Sequence, residues 1–491
     1  MSRARVVLLA ALLALAAGAI GPGPQAAGAH GSGHIDTSWR NPVVPVTAAG
    51  TDTPDPWIFR WRGRYWLTYT TGQWIEVRSA KRLAGLAAAR PTRLWPRLGS
   101  TEPADRCCEL WAPEIHRLRG PRGPRWYVYY AAKGASDGLV HRLYVLESAR
   151  DDPAGPYRFR GQLRVPQVYA IDATVASIRG RTYLIYSGGS TFAPTSLYLA
   201  RLSDPWTVSG TPIEISRPTL PWETIPFAIN EGPEFLLHGG SLHVIYSASW
   251  CGTGAYKLGR LTVPRNADLL DPATWSGAKY PDPVFQSAPD RGVYGPGHGS
   301  FFTSPDGRES WMVYHATDDN RGCFTGGLRT TRAQRFTWNV DDTPDFGTPV
   351  SLATDIAAPG GDRTIAVQAE DAVRGPSAPP SPLVQDRRLF GYQGLRVEPA
   401  GASGALPALW IRVPRAGRYT VRLRVLGGPE VGVITLVVGH RRAVRRSARR
   451  ASEQAVELNF GVVRLGAGVS ALSLRSRSAV TLDQVRLQPR R

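Results

Sequence analysis

The stretch RGRYWLTYT, residues 62–70, reads as a tight turn at Gly63 and then alternating large residues up to Tyr69. A turn glycine before such a run is the signature of a hairpin strand. The phrase recurs as RGPRWYVYY (122–130), RGRTYLIYS (179–187), HGGSLHVIYS (238–247) and DGRESWMVYH (306–315). Its tyrosines, Tyr69, Tyr130, Tyr186, Tyr246 and Tyr314, stand 61, 56, 60 and 68 residues apart. A β unit repeated at this period predicts a propeller, in which equivalent strands of every blade line one central channel. Counting 14 to 16 residues back from each tyrosine reaches Asp55, Glu114, Asp172, Glu231 and His298. Four carboxylates and a histidine are therefore expected to converge on one axis, which is the geometry of an enzyme.

Working outward, the fold class is all-β: a five-bladed β-propeller over residues 30–351, a linker over 352–362 and a β-sandwich over 363–491. The segment 78–90 is the one expected helix. In the last unit WIRVPRAGRYTVRLRVLG (410–427), VGVITLVVG (431–439) and TLDQVRLQP (481–489) alternate as strands do. Trp410 is read as a core residue of that unit. Residues 1–29 read as a secretory signal: Arg3 and Arg5 precede an apolar run from Val6 to Ile20, and Ala27-Gly28-Ala29 offers a small-residue cleavage site. The expectation is a secreted, extracellular protein without membrane association.

Cys107, Cys108, Cys251 and Cys323 suit an oxidising compartment, and three pairings are open for two disulfides. The net charge is +20, but only four of the 59 basic residues are lysines. About +14 of the excess falls after residue 362, with RRAVRRSARR (441–450) as its densest run. Without a recognition element this argues against a nucleic-acid partner and leaves attraction to acidic polymers.

Asp55, in TPDPWIF, fits a general base or a turn-capping aspartate. Asp172, in YAIDATVASI, is a carboxylate among apolar residues, costly to bury without partners. Glu231, in AINEGPEFLL, would have its pKa raised by Asp172, as a general acid requires; Glu234 competes with it but is out of phase. Paired carboxylates with Trp57, Trp74 and Trp111 nearby suit glycoside hydrolysis, since sugar faces stack on aromatic rings. Glu114, in LWAPEIH, fits either a sugar contact or a structural role. His298, in YGPGHGSF, could hold a cation or bond the carboxylates. No dinucleotide motif or G-x-S-x-G elbow occurs, so no organic cofactor and no esterase chemistry are expected.

DPWIF, WAPEIH, HRLYVLES, IDATV, NEGPE, GVYGPGHGSF and RAQRFTWNVDDTPDFG, in that order, resemble glycoside hydrolase family 43 over residues 50–350. The resemblance implies a five-bladed propeller of inverting glycosidases on arabinose- and xylose-containing plant polysaccharide. It implies Asp55 as general base, Glu231 as general acid and Asp172 as the residue that tunes and orients the acid. It also implies that Arg329, in GLRTTRAQ, contacts substrate near the acid, and that His298 helps hold a metal ion, often calcium. Gly299 departs from relatives that carry asparagine there. The subgroup resembled most is the exported α-L-arabinofuranosidases, with β-xylosidase and endo-arabinanase as alternatives and a non-catalytic glycan-binding propeller outside the class. IAVQAEDAV to LDQVRLQP resembles carbohydrate-binding modules of the family 6 and 35 type, which implies a structural calcium at Glu370 and Asp483.

Overall fold

The structure is a computed structural model and describes residues 35–36, 38–45, 52–95, 106–361, 364–368, 383–385, 393–400, 403–413, 416–438 and 442–490. Residues 1–29, expected as a secretory signal, and Glu370 lie outside the described residues. Each quoted phrase forms a hairpin turn and the second strand of a separate antiparallel sheet. Among the described residues five such sheets follow one another along the chain, each made of consecutive neighbours. Their first strands are Trp57–Trp61, Cys108–Gly120, Tyr169–Ile178, Asn230–His238 and Tyr294–Thr303. Each first strand packs on the next, and the fifth packs on the first, so the set closes into a ring. This is a β-propeller.

The alternation of side chains across each strand explains the closure. Both faces of the sheets are apolar, and five hydrophobic clusters fill the spaces between neighbours. One of them joins Ile58 and Tyr65 of the first sheet to Trp311 and Val313 of the fifth. The repeat tyrosines are buried to 1% exposure or less. A buried phenol needs a partner: Tyr69 donates to Glu76 at 2.6 Å, Tyr246 to Glu223 at 2.8 Å and Tyr314 to Gln334 at 3.0 Å.

The lead-in also bridges the ring. Asn41 exchanges hydrogen bonds with the Ala333 backbone, and Thr53 N–H donates to the Arg329 carbonyl, both on the fifth sheet's side. The chain then crosses directly to Asp55 and the first sheet. The expected helix over 78–90 does not form. Strand Ile75–Ala80 continues into it, and one 3-10 turn at Leu83–Leu86 follows without a side-chain cap. Leu83 and Leu86 are simply core residues beside the first sheet.

Beyond the linker two sheets face each other as a β-sandwich. One contains Gly417–Gly427, Gln454–Leu465 and Val480–Arg490; the other contains Leu409–Val413, Gly468–Arg475 and Val433–Val438. Leu409, Ile411, Val421, Leu423, Leu436 and Leu482 belong to the core between them. Because Leu409 and Ile411 point inward, Trp410 must point outward, and it is 49% exposed rather than in the core. The linker is tied down at both ends: Ile356–Ala357 pairs with Ser38–Trp39, and Gly360 N–H donates to Glu309.

Candidate active site

Four of the five first strands lose register, and each has an interruption where the candidate residues lie. The breaks are between Trp111 and Glu114, Ile171 and Thr174, Glu231 and Glu234, and Gly297 and Ser300. At these breaks Ala112, Asp172, Gly232 and His298 have positive φ, as does Asp55 at the start of the first sheet. A bulge re-aims a side chain at the cost of local strain. Here bulges turn Asp172 and His298 toward the channel, and the left-handed backbone at Asp55 does the same ahead of the first strand.

The polar residue after each repeat tyrosine secures a bulge in the next sheet. Thr70 accepts the Ala112 N–H at 2.6 Å, Ser187 donates to the Asn230 carbonyl at 2.7 Å and Ser247 accepts the His298 N–H at 2.8 Å. His315 of the last sheet accepts the Asp55 N–H at 3.2 Å and closes the circuit. Ala131 occupies this place in the second sheet and carries no such group.

The resulting pocket has a volume of about 720 Å³, with Asp55, Asp172, Glu231, His298 and Arg329 in its lining. Asp55 receives Thr70 Oγ1 at 2.6 Å on one oxygen. Its other oxygen lies 3.3 Å from His298 Nδ1, 3.3 Å from His315 Nδ1 and 3.6 Å from an Arg329 nitrogen. Burial pushes this carboxyl up, but the neighbouring His298 and the Arg329 guanidinium outweigh it, and its pKa falls far below the usual range. Burial lowers the His315 pKa to about 4, so its imidazole is neutral at neutral pH and its Nδ1 lone pair is free to accept the Asp55 N–H.

Asp172 and Glu231 behave oppositely. Burial, followed by the charge of Asp55, pushes Asp172 up to about 8, although the Gly232 N–H donates to it at 2.9 Å. Burial, followed by the charge of Asp172, pushes Glu231 up to about 8 against a hydrogen bond from Tyr256 at 2.8 Å. The two titrate as a pair. One pocket therefore offers an ionised carboxylate and a protonated one at neutral pH, the division of labour that acid–base catalysis requires.

Three of the expected sugar contacts lie elsewhere. Glu114 stands two residues past its bulge, and the residue at the bulge is Ala112. It is buried beneath the pocket, bonded to His116 at 2.6 Å and in contact with Glu234, so it does not reach a sugar. Trp57 occupies the same deeper layer, its ring 4.3 Å from His116 and its N–H on the Ile115 carbonyl. Trp74 is held by Glu76 at 2.7 Å and covered by Arg93, outside the pocket. Trp111 does line the pocket, stacked on His141 at 3.7 Å. Arg329 lines it as well, beside Asp55 and Asp52 rather than beside Glu231.

The sequence reading passed over Thr70, His315 and Tyr256. Thr70 and His315 end two of the repeat phrases, so their place in the register was the available signal. Aligning the strands on Asp55-Pro56, Ala112-Pro113 and Gly232-Pro233 would also have excluded Glu114.

His298 Nδ1 faces Asp55, with Asp172 3.9 Å away. Among the described residues no three His, Cys, Asp or Glu side chains form a metal-holding group. A side chain at Gly299 would meet the Val313 carbonyl at 1.9 Å, so this backbone has no room for an asparagine there. One imidazole beside paired carboxylates is not the oxygen cage calcium needs. In the sandwich, buried Asp483 pairs with Arg424 at 2.9 Å, while Glu370, the other residue expected at a calcium, lies outside the described residues. The cysteines pair as Cys107–Cys108 and Cys251–Cys323, the latter in the pocket wall.

Residues 39–344 match the model of glycosyl hydrolases family 43. The chain belongs to that family. Among family 43 relatives, the extracellular exo-alpha-(1->5)-L-arabinofuranosidase of Streptomyces avermitilis is 40% identical over 309 residues, 60% of this chain and 62% of that protein. Alpha-L-arabinofuranosidase B of Pyricularia oryzae is 36% identical over 330 residues, 64% of each chain. The chain thus spans less than two thirds of the length of these two relatives. The crystal structure of alpha-L-arabinofuranosidase from Lactobacillus brevis matches with a TM-score of 0.58 at 33% identity, over 64% of this chain and 98% of that one.

Proposed function

We propose that this protein is a secreted, inverting α-L-arabinofuranosidase acting on plant polysaccharide such as arabinan or arabinoxylan. The observation that carries the reading is the opposite displacement of two carboxyl groups in one pocket, Asp55 downward and Glu231 upward. The arabinofuranosidase names of the relatives support the choice of sugar. The five sheets and their five intervening cores support five blades. The exposed Trp410 supports a carbohydrate-binding role for residues 363–491, since it offers a sugar a stacking face.

In this mechanism Asp55 takes a proton from a water as that water attacks the anomeric carbon. Glu231 gives its proton to the departing glycosidic oxygen, and the C–O bond breaks. Asp172 keeps Glu231 protonated until that moment. Arg329 and His298 hold Asp55 ionised.

The test is turnover of 4-nitrophenyl α-L-arabinofuranoside and β-D-xylopyranoside by the mature protein, beside Asp55→Asn and Glu231→Gln. The arabinoside should be cleaved with inversion, visible by proton NMR as the first anomer released. Asp55→Asn should be inactive on both poor and activated leaving groups, whereas Glu231→Gln should keep more activity on the activated aryl glycoside, which needs little protonation. Equal losses on both substrate types in Glu231→Gln would overturn the acid assignment, and turnover of the xyloside alone would overturn the choice of sugar.

A further inference from the structure

We propose that a basic cleft between the first sheet and the sandwich binds a uronate-bearing polysaccharide, at a site separate from the pocket. The cleft has a volume of about 490 Å³. Arg62, Arg64 and Lys81 line one side, and Arg422, Arg486 and Arg490 line the other. The arginines of the sandwich are placed by strand register. Arg422 pairs with Arg486 on adjacent strands, and Thr420 with Gln488, so alternate positions present their side chains on one face of that sheet.

Like charges directly opposite each other destabilise a sheet. The only carboxylate in the lining, Glu457, lies 3.3 Å from Arg486 and 3.7 Å from Arg422, so two guanidinium groups share one anion. The propeller side brings further positive charge to the same space and no acid. A concave surface of one sign concentrates oppositely charged ligands. An anion that bridges the two sides would relieve the repulsion.

The donor set says what kind of anion. Planar guanidinium forks match carboxylate oxygens, and Gln488 adds a neutral amide suited to a hydroxyl. Single-stranded nucleic acid sites interleave cations with aromatic stacking platforms, and none of the residues lining this cleft is aromatic. The volume lies in the range of about 300–1,000 Å³ typical of small-ligand sites and so suits a few sugar units of a chain. Within the densest basic run, Arg445, Arg446, Arg449 and Arg450 line no part of it, and the strand Arg442–Ser447 belongs to the other sheet of the sandwich. Only the source of the ligand, a plant cell-wall polymer, rests on the function proposed above. The cleft would hold such a chain while the pocket works on its neutral branches.

The experiment is affinity electrophoresis of the full mature protein through polygalacturonate and, in parallel, through neutral arabinan. It is run at about 0.01 M and about 0.15 M ionic strength, where the screening length falls from about 30 Å to about 8 Å. The wild type should be retarded by polygalacturonate, less so at the higher salt. Arg422→Gln with Arg486→Gln should weaken that retardation about tenfold, as should Arg62→Gln with Lys81→Gln, a pair outside the sandwich that guards against a folding defect. Arg445→Gln with Arg449→Gln removes the same charge from exposed positions outside the cleft and should leave retardation unchanged. No retardation of the wild type, an equal loss in the Arg445 and Arg449 variant, or no loss in either cleft variant would overturn the proposal. Because the readout is binding, it is independent of whether the pocket hydrolyses arabinosides.

Discussion

Gly232 is the point where the candidate site has least room. Its φ is +52°, and a β-carbon there would meet His298 Cγ at 2.8 Å, Cδ2 at 3.0 Å and Nδ1 at 3.1 Å. Carbon contacts settle at about 3.5–4.0 Å, so Gly232→Ala must drive the imidazole back by roughly 1 Å. Left-handed backbone costs an alanine about 1–2 kcal/mol, and forced repacking adds about 1–3 kcal/mol. The sum, about 2–5 kcal/mol, is a large part of the roughly 5–15 kcal/mol that holds a typical domain folded. The retreating ring also leaves Asp55, whose Oδ1 is 3.3 Å from His298 Nδ1. A displacement of about 1 Å at reacting groups can cost about a hundredfold in rate. We expect kcat/KM for the aryl arabinofuranoside to fall about a hundredfold. The acid limb of the pH profile should move up, because Asp55 loses the close approach of His298 that helps hold its pKa down. Gly180→Ala is the control: its φ is +76° and nothing lies within 4 Å, so it reports backbone strain alone. Thermal unfolding and pH–rate profiles of both variants decide the matter. Wild-type kcat/KM and an unmoved acid limb in Gly232→Ala, with a stability loss no larger than that of Gly180→Ala, would refute the reasoning.

Thr70→Val removes both the donor to Asp55 and the acceptor of the Ala112 N–H. It should lower stability by about 1–3 kcal/mol, because a buried amide loses its partner, and kcat should fall with it; unchanged denaturation midpoints would contradict this. Glu231 must be protonated to act as an acid, so activity should be present below about pH 8 and lost above it. Tyr256→Phe removes a hydrogen bond that favours the charged form, and the alkaline limb should rise by about one pH unit; a limb that falls or stays would count against the assignment. Replacing Cys251 and Cys323 together by serine should cost about 2–4 kcal/mol. It should also raise KM more than it lowers kcat, because the bridge holds the loop carrying Phe324, 79% exposed at the pocket wall. Equal KM in the oxidised wild type and the variant would show that the wall stands without it.

The period of the repeat was a sufficient guide to the sheets, because a turn glycine followed by alternating large residues allows few other local structures. It also gave Asp55, Asp172, Glu231 and His298, which share the pocket. It misplaced Glu114, because counting back from the tyrosines takes no account of a bulge. One inserted residue changes which side chains face the channel, and in the second and fourth sheets the bulge encloses an Ala112-Pro113 or Gly232-Pro233 step that the tyrosine period does not locate. The helix expected over 78–90 failed for a related reason: Ile75 and Val77 already point into the core of a strand that runs to Ala80.

Legible along the chain, then, is what depends on near neighbours: strand and turn, the order of the sheets, the alternation that leaves apolar faces to bury, and the entry of Asp55, Asp172 and Glu231 into the channel. The tertiary structure alone decided what depends on neighbours across it. Cys251 meets Cys323 from 72 residues away, His315 accepts the Asp55 N–H from the far end of the ring, and Arg424 pairs with buried Asp483 across the sandwich strands. The physical reason is range. Backbone propensity acts over a few residues, whereas the charges of Asp55 and Glu231 are set by burial and by groups that only ring closure brings within about 4 Å.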